Sequence, residues 1–216
     1  MVERKQPTIV YHFTHVDHLS TIVEHGLLSD ASAAAGSLLT TEVGNRGIKD
    51  QRRRCAVPVP PGGFVADYVP FYFAPRSPMM FAIASGNVPS YLGGTARLIY
   101  FVTTLERLEA AGCQPVLTDR NAALNYAEYR VFDLGDPIDD GFVDWDLMRA
   151  RYWANTDAEP ERRERRMAEA LAYDRVPWEA IGAVRTQNET VADEVREVLA
   201  GFGSTVPVDV RAPWYF

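Results

Sequence analysis

Hydrophobic and polar positions alternate along "TIVYHF" (8–13), with β-branched and aromatic residues favoured, and this period of two predicts a strand. The next residues, "THVDHLSTIVEHGLL", change period. Leu19, Ile22, Val23 and Leu27 recur at helical spacing, Thr14 with Asp17 predicts a capping box, and Gly26 falls where the helix should stop. The junction between strand and helix carries His12 and Thr14, beside backbone groups that no ladder has yet paired. Residues 30–62 lose all periodicity and predict a long loop, either functional or disordered. "VADYVPFYFAP" (65–75) predicts a strand that Pro70 confines to near an edge. "RLIYFVTT" (97–104) predicts a strand and "LERLEAAG" a short helix after it. "QPVLTD", "AIGAVRTQ" and "TVPVDV" predict further strands, and "ETVADEVREVLAG" (189–201) an amphipathic helix closed by Gly201. No repeat or Pro/Ser linker interrupts the chain. The expectation is one mixed α+β domain over 1–216, with helices scattered between strands rather than alternating regularly.

Composition adds boundaries rather than a function. A chain of 216 residues that is 47% hydrophobic can bury a substantial core. No apolar run reaches membrane-spanning length, and "MVERKQPTIVY" lacks a signal-peptide stretch. Cys55 and Cys113 form neither a metal spacing nor a disulfide framework, so a reduced, cytoplasmic protein without membrane contact is expected. The net charge of −7 argues against nonspecific coating of nucleic acid. Of the 22 Lys and Arg residues, however, five lie in "NRGIKDQRRR" (45–54) and four in "RRERR" (162–166). Acidic residues crowd instead into "DLGDPIDDGFVDWD" (133–146). The asymmetry is compatible with an anionic ligand on one face, although such runs are more often solvated faces.

Familiar phosphate-loop, dinucleotide and nucleophile-elbow motifs are missing. His12, His15 and His18 recur every three residues, but strand and helix divide them and no Cys or Asp completes a tetrahedron, so no metal is expected. "ERRERRMAEALAYDRVPWEA" (161–180) holds Glu169 within an alanine-rich run that reads helical by composition, and a solvated carboxylate is the plain reading.

Six segments in order nevertheless resemble one family: "VYHFTHVDHLSTIVEHGLLS", "IKDQRRRCAV", "YVPFYFAPRSPMMF", "FVDWDLMRARYW", "NTDAEPERRERRMAEALAY" with "VPWEAI", and the closing "PWYF". They resemble the DarT toxins, DNA ADP-ribosyltransferases of DarT–DarG toxin–antitoxin systems, nearly end to end. The resemblance implies an ADP-ribosyltransferase-like fold with a split mixed sheet. It also implies NAD as substrate, transfer of ADP-ribose to a base of single-stranded DNA (thymine in the better-known branch), and a macrodomain antitoxin as partner. The same chemistry directed at RNA or protein, or a catalytically silent nucleic-acid-binding module on this scaffold, are the alternatives.

Residue by residue, the resemblance implies that His12 orients the NAD ribose and that Phe13 and Thr14 line the nicotinamide site, with Thr21 and Ser29 as further contacts. It gives the catalytic arginine to Arg52, a register slip giving Arg53, and the catalytic glutamate to Glu169, which it puts on a strand. On that strand Met167, Glu169, Leu171 and Tyr173 would share one face. The family role for the arginine includes help in deprotonating the thymine nitrogen, although a group with a pKa above about 12 is a poor base. Tyr72, Arg76 and Met79 suit base stacking and phosphate contact, and Asn121 lies in a loop matching the DNA side of the family, where some relatives carry histidine.

Overall fold

The computed structural model describes residues 7–135 and 141–216. Residues 1–6 and 136–140, which include part of the acidic run and the first half of the N-terminal segment, lie outside the described residues.

A mixed eight-stranded sheet forms the centre: β1 Ile9–His15, β3 Tyr68–Tyr72, β4 Leu98–Thr104, β5 Val116–Thr118, β6 Tyr129–Val131, β7 Glu169–Tyr173, β9 Ala183–Thr186 and β10 Val208–Val210. Their order is β10-β9-β4-β1-β3-β7-β5-β6, and β2 Leu27–Leu28 pairs separately with β8 Arg175–Val176. Only β9 and β10 run parallel; the other pairs are antiparallel.

The sheet is split where function will be sought. β1 pairs with β4 from Ile9 to His15, yet meets β3 at one position, Tyr11 opposite Tyr72. β3 meanwhile pairs with β7 over its full length. The predicted edge position of Pro70 is therefore corrected: it sits in an interior strand. Its carbonyl faces the β1 side, where it accepts from His12 Nδ1 at 2.8 Å. The N and C=O of one strand residue point the same way, so the missing N–H faces the gap and costs no ladder bond.

Other expectations shift locally. Thr14 does not cap a helix; it lies within β1 with its hydroxyl on His18 Nδ1, and a 3-10 turn at 16–18 precedes α1 Leu19–His25. Leu27 leaves that helix for β2, while Gly26 stops it with φ +84°. The "loop" 30–62 contains two helices, α2 Asp30–Ala35 and α3 Arg46–Arg52. Neither buries a residue fully, so no apolar stripe announced them, and side-chain caps from Ser29 and Asn45 set their starts.

α4 Pro78–Ala84, α5 Leu105–Ala110, α6 Trp145–Arg149, α7 Arg162–Arg165 and α8 Glu189–Gly201 complete the helices described. α8 keeps its predicted bounds, and the left-handed glycine lies two residues past its end, at Gly203. β7 is a strand despite its alanines. Ala168, Ala170 and Ala172 are wholly buried in the main core, while Leu171 joins a second cluster with Val57, Val65 and Tyr68. Packing on both faces outweighs the helical preference of alanine here. No described helix is long and apolar enough to cross a membrane.

Candidate active site

Where β1 and β3 diverge, a cleft of about 240 Å³ opens between the sheet and the 30–52 segment. His12, Phe13 and Thr14 line it from β1, Tyr72 from β3, Glu169 from β7, Arg52 from α3 and Met79 from α4. Thr21 and Ser29 line it as well, so nine expected site residues meet in one place. Arg76 and Asn121 do not line it.

Glu169 is placed by register. It stands opposite Tyr72 in the β3–β7 ladder, so both side chains leave one face of the sheet at the same level. The residue is 1% exposed, and a carboxylate so buried must be compensated. Arg52 Nη1 reaches Oε1 at 2.9 Å and Oε2 at 3.1 Å, and the Ala122 N–H donates to Oε2 at 2.9 Å. Thr118 fixes the backbone by accepting from Glu169 N at 3.0 Å and donating to the Arg120 carbonyl. One nitrogen of Arg52 therefore serves both oxygens, instead of the usual two-nitrogen fork. Its Nη2 is buried and has no partner. Burial works against the Arg52 charge, but the Glu169 carboxylate outweighs it and holds the guanidinium above its ordinary range. Arg53 turns away, to Asp30 and Asp50, so the geometry brings Arg52 and not its neighbour to the glutamate.

His12 forms the opposite wall. Its ring lies between Phe71 and Phe101, and the Nδ1–H donates to Pro70 O, which leaves Nε2 as an acceptor. Burial pushes its pKa down to about 4 despite that hydrogen bond, so the ring is neutral at physiological pH. Phe13 stacks on Tyr72 at 6.3 Å and fixes the phenol beside Glu169. Burial, reinforced by the Glu169 charge, pushes the Tyr72 hydroxyl well above its ordinary pKa, so it stays protonated. Ser29 spends its hydroxyl capping α2 through Ser32 N. His18 accepts from the Thr41 N–H and thereby fastens the segment that crosses the cleft. Lys49 bridges Asp30 and Glu42 at 2.5 and 2.7 Å and fastens it again.

On the outer side, Asn121 Oδ1 accepts from Ala123 N and shapes the turn that presents the Ala122 N–H to Glu169. Arg76 lies in the turn between β3 and α4, its guanidinium 4.1 Å over the Phe216 ring. Sequence reasoning missed the groups that hold this arrangement together. Ala122 acts through its backbone, which no side-chain pattern reveals. Gln51 donates to Ala123 O at 2.6 Å and Tyr129 to Ala122 O at 2.7 Å, linking α3 and β6 to that turn. The position of Gln51 beside Arg52 was the one available signal. Among the described residues no group of three His, Cys, Asp or Glu side chains could hold a metal.

A buried acid–arginine pair facing a neutral histidine across a split sheet suits cleavage of a glycosidic bond, and known proteins resemble this chain over nearly its whole length. A protein from Thermus sp. named DNA ADP-ribosyl transferase is 35% identical over 215 residues, 98% of this chain and 97% of its own. One of the same name from Mycobacterium tuberculosis is 35% identical over 222 residues, covering 99% and 92%. The solved structure of Thermus sp. 2.9 DarT in complex with ADP-ribosylated ssDNA superposes with a TM-score of 0.90 at 34% identity, over 100% of this chain and 99% of that one. The same protein in complex with NAD+ superposes at 0.84, over 98% and 99%. The family model described as "ssDNA thymidine ADP-ribosyltransferase, DarT" matches residues 11–216, and this chain belongs to the DarT family.

Proposed function

We propose that this chain, acting as a single domain, transfers ADP-ribose from NAD onto a thymidine base of single-stranded DNA and releases nicotinamide. The observation that carries the assignment is the Arg52–Glu169 pair on the cleft floor, with Nη2 of Arg52 buried and without a partner. An unpaired guanidinium nitrogen in a cleft fits an anionic, polyhydroxylated substrate such as NAD.

The bond broken joins the nicotinamide nitrogen to the anomeric carbon of the ribose, and nicotinamide leaves with the bonding pair. Positive charge builds on the ribose, as in glycoside hydrolysis. Glu169, locked by Arg52 and Ala122 N–H, faces that charge without having to reorganise. His12 Nε2 accepts from a ribose hydroxyl, because Nδ1 is committed to Pro70. Phe13 and Thr14 offer the side of β1 that β3 leaves unpaired, and a carboxamide needs one donor and one acceptor there. Thr21 and Ser29 line the same side. Arg52, held above its ordinary pKa, acts as a cation toward phosphate and departing charge rather than as a base. The thymine nitrogen bonds to the anomeric carbon, and its proton passes to Glu169, whose partner cation has by then been captured. Tyr72 and Met79 flank the base, with Arg76 and Asn121 farther out along the strand.

Single-stranded substrate spares the enzyme the cost of unpairing a base. The cellular reading is a toxin of the cytoplasm, where DNA and NAD meet, restrained by a DarG-like macrodomain antitoxin. Two free thiols, Cys55 and Cys113, agree with a reduced compartment. The test is labelled NAD offered with single-stranded DNA, duplex DNA, RNA and protein in parallel. Label on single-stranded DNA that disappears with Glu169→Gln supports the assignment, and label confined to RNA or protein refutes the acceptor.

A further inference from the structure

Beside the cleft, three aromatic side chains form a row on the surface. Phe216 meets Phe81 edge-on at 5.2 Å, and Phe81 meets Trp153 at 5.9 Å. Phe81 is nevertheless 46% exposed and Phe216 39%, and the adjoining Tyr152 is 75% exposed. Edge-to-face packing thus fixes the rings without using up their surface. Single exposed aromatics need no explanation, but a contiguous group of them does.

Two arginines edge this row. Arg76 covers the Phe216 ring and Arg151 lies 5.5 Å from the Tyr152 ring; neither has a carboxylate partner among the described residues. Arg76 Nε is buried with no hydrogen bond at all. Beneath them Arg166, 4% exposed, donates to the carbonyls of Leu147, Ala150 and Arg76. Burial, with the Arg76 charge added, pushes Arg166 down to about 10. Elsewhere arginines such as Arg97, Arg120 and Arg196 are each paired with two carboxylates. In a chain of net charge −7, an aromatic row edged by uncompensated arginines complements a polyanion with exposed π faces.

The row adjoins the segment that lines the cleft, without itself lining it. Arg76 stands between the cleft residues Tyr72 and Met79 in sequence, and Phe81 follows on the same helix. Tyr152 O accepts from Arg162 at the start of α7, and Glu164 O on α7 accepts from Asn121 N. A strand with one base in the cleft must leave it along some such path.

We propose that Phe81, Trp153 and Phe216, with Arg76 and Arg151, form a stacking platform for unpaired bases of the DNA flanking the thymidine in the cleft. The inference rests on the single-stranded DNA reading above and adds a second binding site to it. The test is fluorescence anisotropy without NAD, comparing thymidine oligonucleotides of about 3 and about 12 nucleotides on the wild type, Phe81→Ala, Trp153→Ala and Trp153→Phe. Each alanine variant should weaken the longer oligonucleotide by roughly 5- to 100-fold, given base stacking of about 1–3 kcal/mol, and leave the shorter one within about twofold. Trp153→Phe should keep most of the affinity, and Arg76→Gln should lower the salt slope by about one phosphate. Unchanged binding of the longer oligonucleotide to both alanine variants overturns the platform while leaving the enzyme reading intact. Equal losses on both lengths overturn it too, since the change would then act through the cleft. A wild type that binds neither length removes the platform and the acceptor assignment together.

Discussion

Arg52→Ala exposes how the cleft floor is balanced. The substitution leaves the Glu169 carboxylate, 1% exposed, with one remaining donor, the Ala122 N–H at 2.9 Å. Stranding one partner of a buried ion pair costs about 3–5 kcal/mol, and the surviving hydrogen bond puts this case near the lower end, about 3 kcal/mol. Glu169→Gln leaves the Arg52 guanidinium, 14% exposed, without its counter-charge, but the amide oxygen can still accept from Ala122 N and Arg52, so the loss should be smaller, about 2 kcal/mol. Adding Glu169→Gln to Arg52→Ala removes the stranded charge, so the double variant should be more stable than Arg52→Ala by roughly 1–2 kcal/mol. Urea unfolding of the four proteins at neutral pH, followed by circular dichroism, reads the cycle directly. Additive losses, with the double variant the least stable, would refute the claim that Arg52 compensates a buried charge.

His12, with a folded pKa of about 4 against about 6.5 unfolded, takes up its proton more readily in the unfolded chain. Its contribution is therefore complete above pH 6.5 and is lost as pH falls toward 4; the loss, discounted for the partial exposure of the ring, is on the order of 2–3 kcal/mol. His12→Asn should flatten this part of the stability–pH curve, and an unchanged slope in urea titrations would count against a neutral His12. Gln51→Ala removes the tie between α3 and the 121–123 turn, and should lower kcat for DNA transfer by roughly tenfold with the KM for NAD little changed. A rise in the KM for NAD alone would contradict that placement. Gly26→Ala forces a Cβ to within 2.8 Å of the Val176 carbonyl at φ +84°, and should cost about 2 kcal/mol or more in thermal unfolding; a neutral result would mean the α1–β2 corner relaxes freely.

The parts of the fold legible in the sequence were those built on periodicity. β1, β4, α5 and α8 each carry a clear two- or 3.6-residue pattern and stand where it put them. α2 and α3 were not legible, because neither buries an apolar face; Asn45 capping and the Lys49 bridges to Asp30 and Glu42 hold the second. Pro70 misled because a proline penalty applies to a ladder position, and this one faces the gap that makes the cleft. Glu169 shows the limit most clearly. Local composition made it a helical surface residue, and only the resemblance across the chain put it on a buried strand. The geometry joins it to Arg52 across 117 positions, a contact that no local pattern encodes.

Transfer at this cleft should join ADP-ribose to thymidine. The most direct measurement is mass spectrometry of a single-stranded oligonucleotide with one thymidine after incubation with NAD. The oligonucleotide should gain one ADP-ribosyl group located on the thymine, absent when thymidine is replaced by deoxycytidine, and reduced roughly 100-fold or more by Glu169→Gln. An adduct on the sugar or phosphate, or one that persists at full rate in Glu169→Gln, would contradict it.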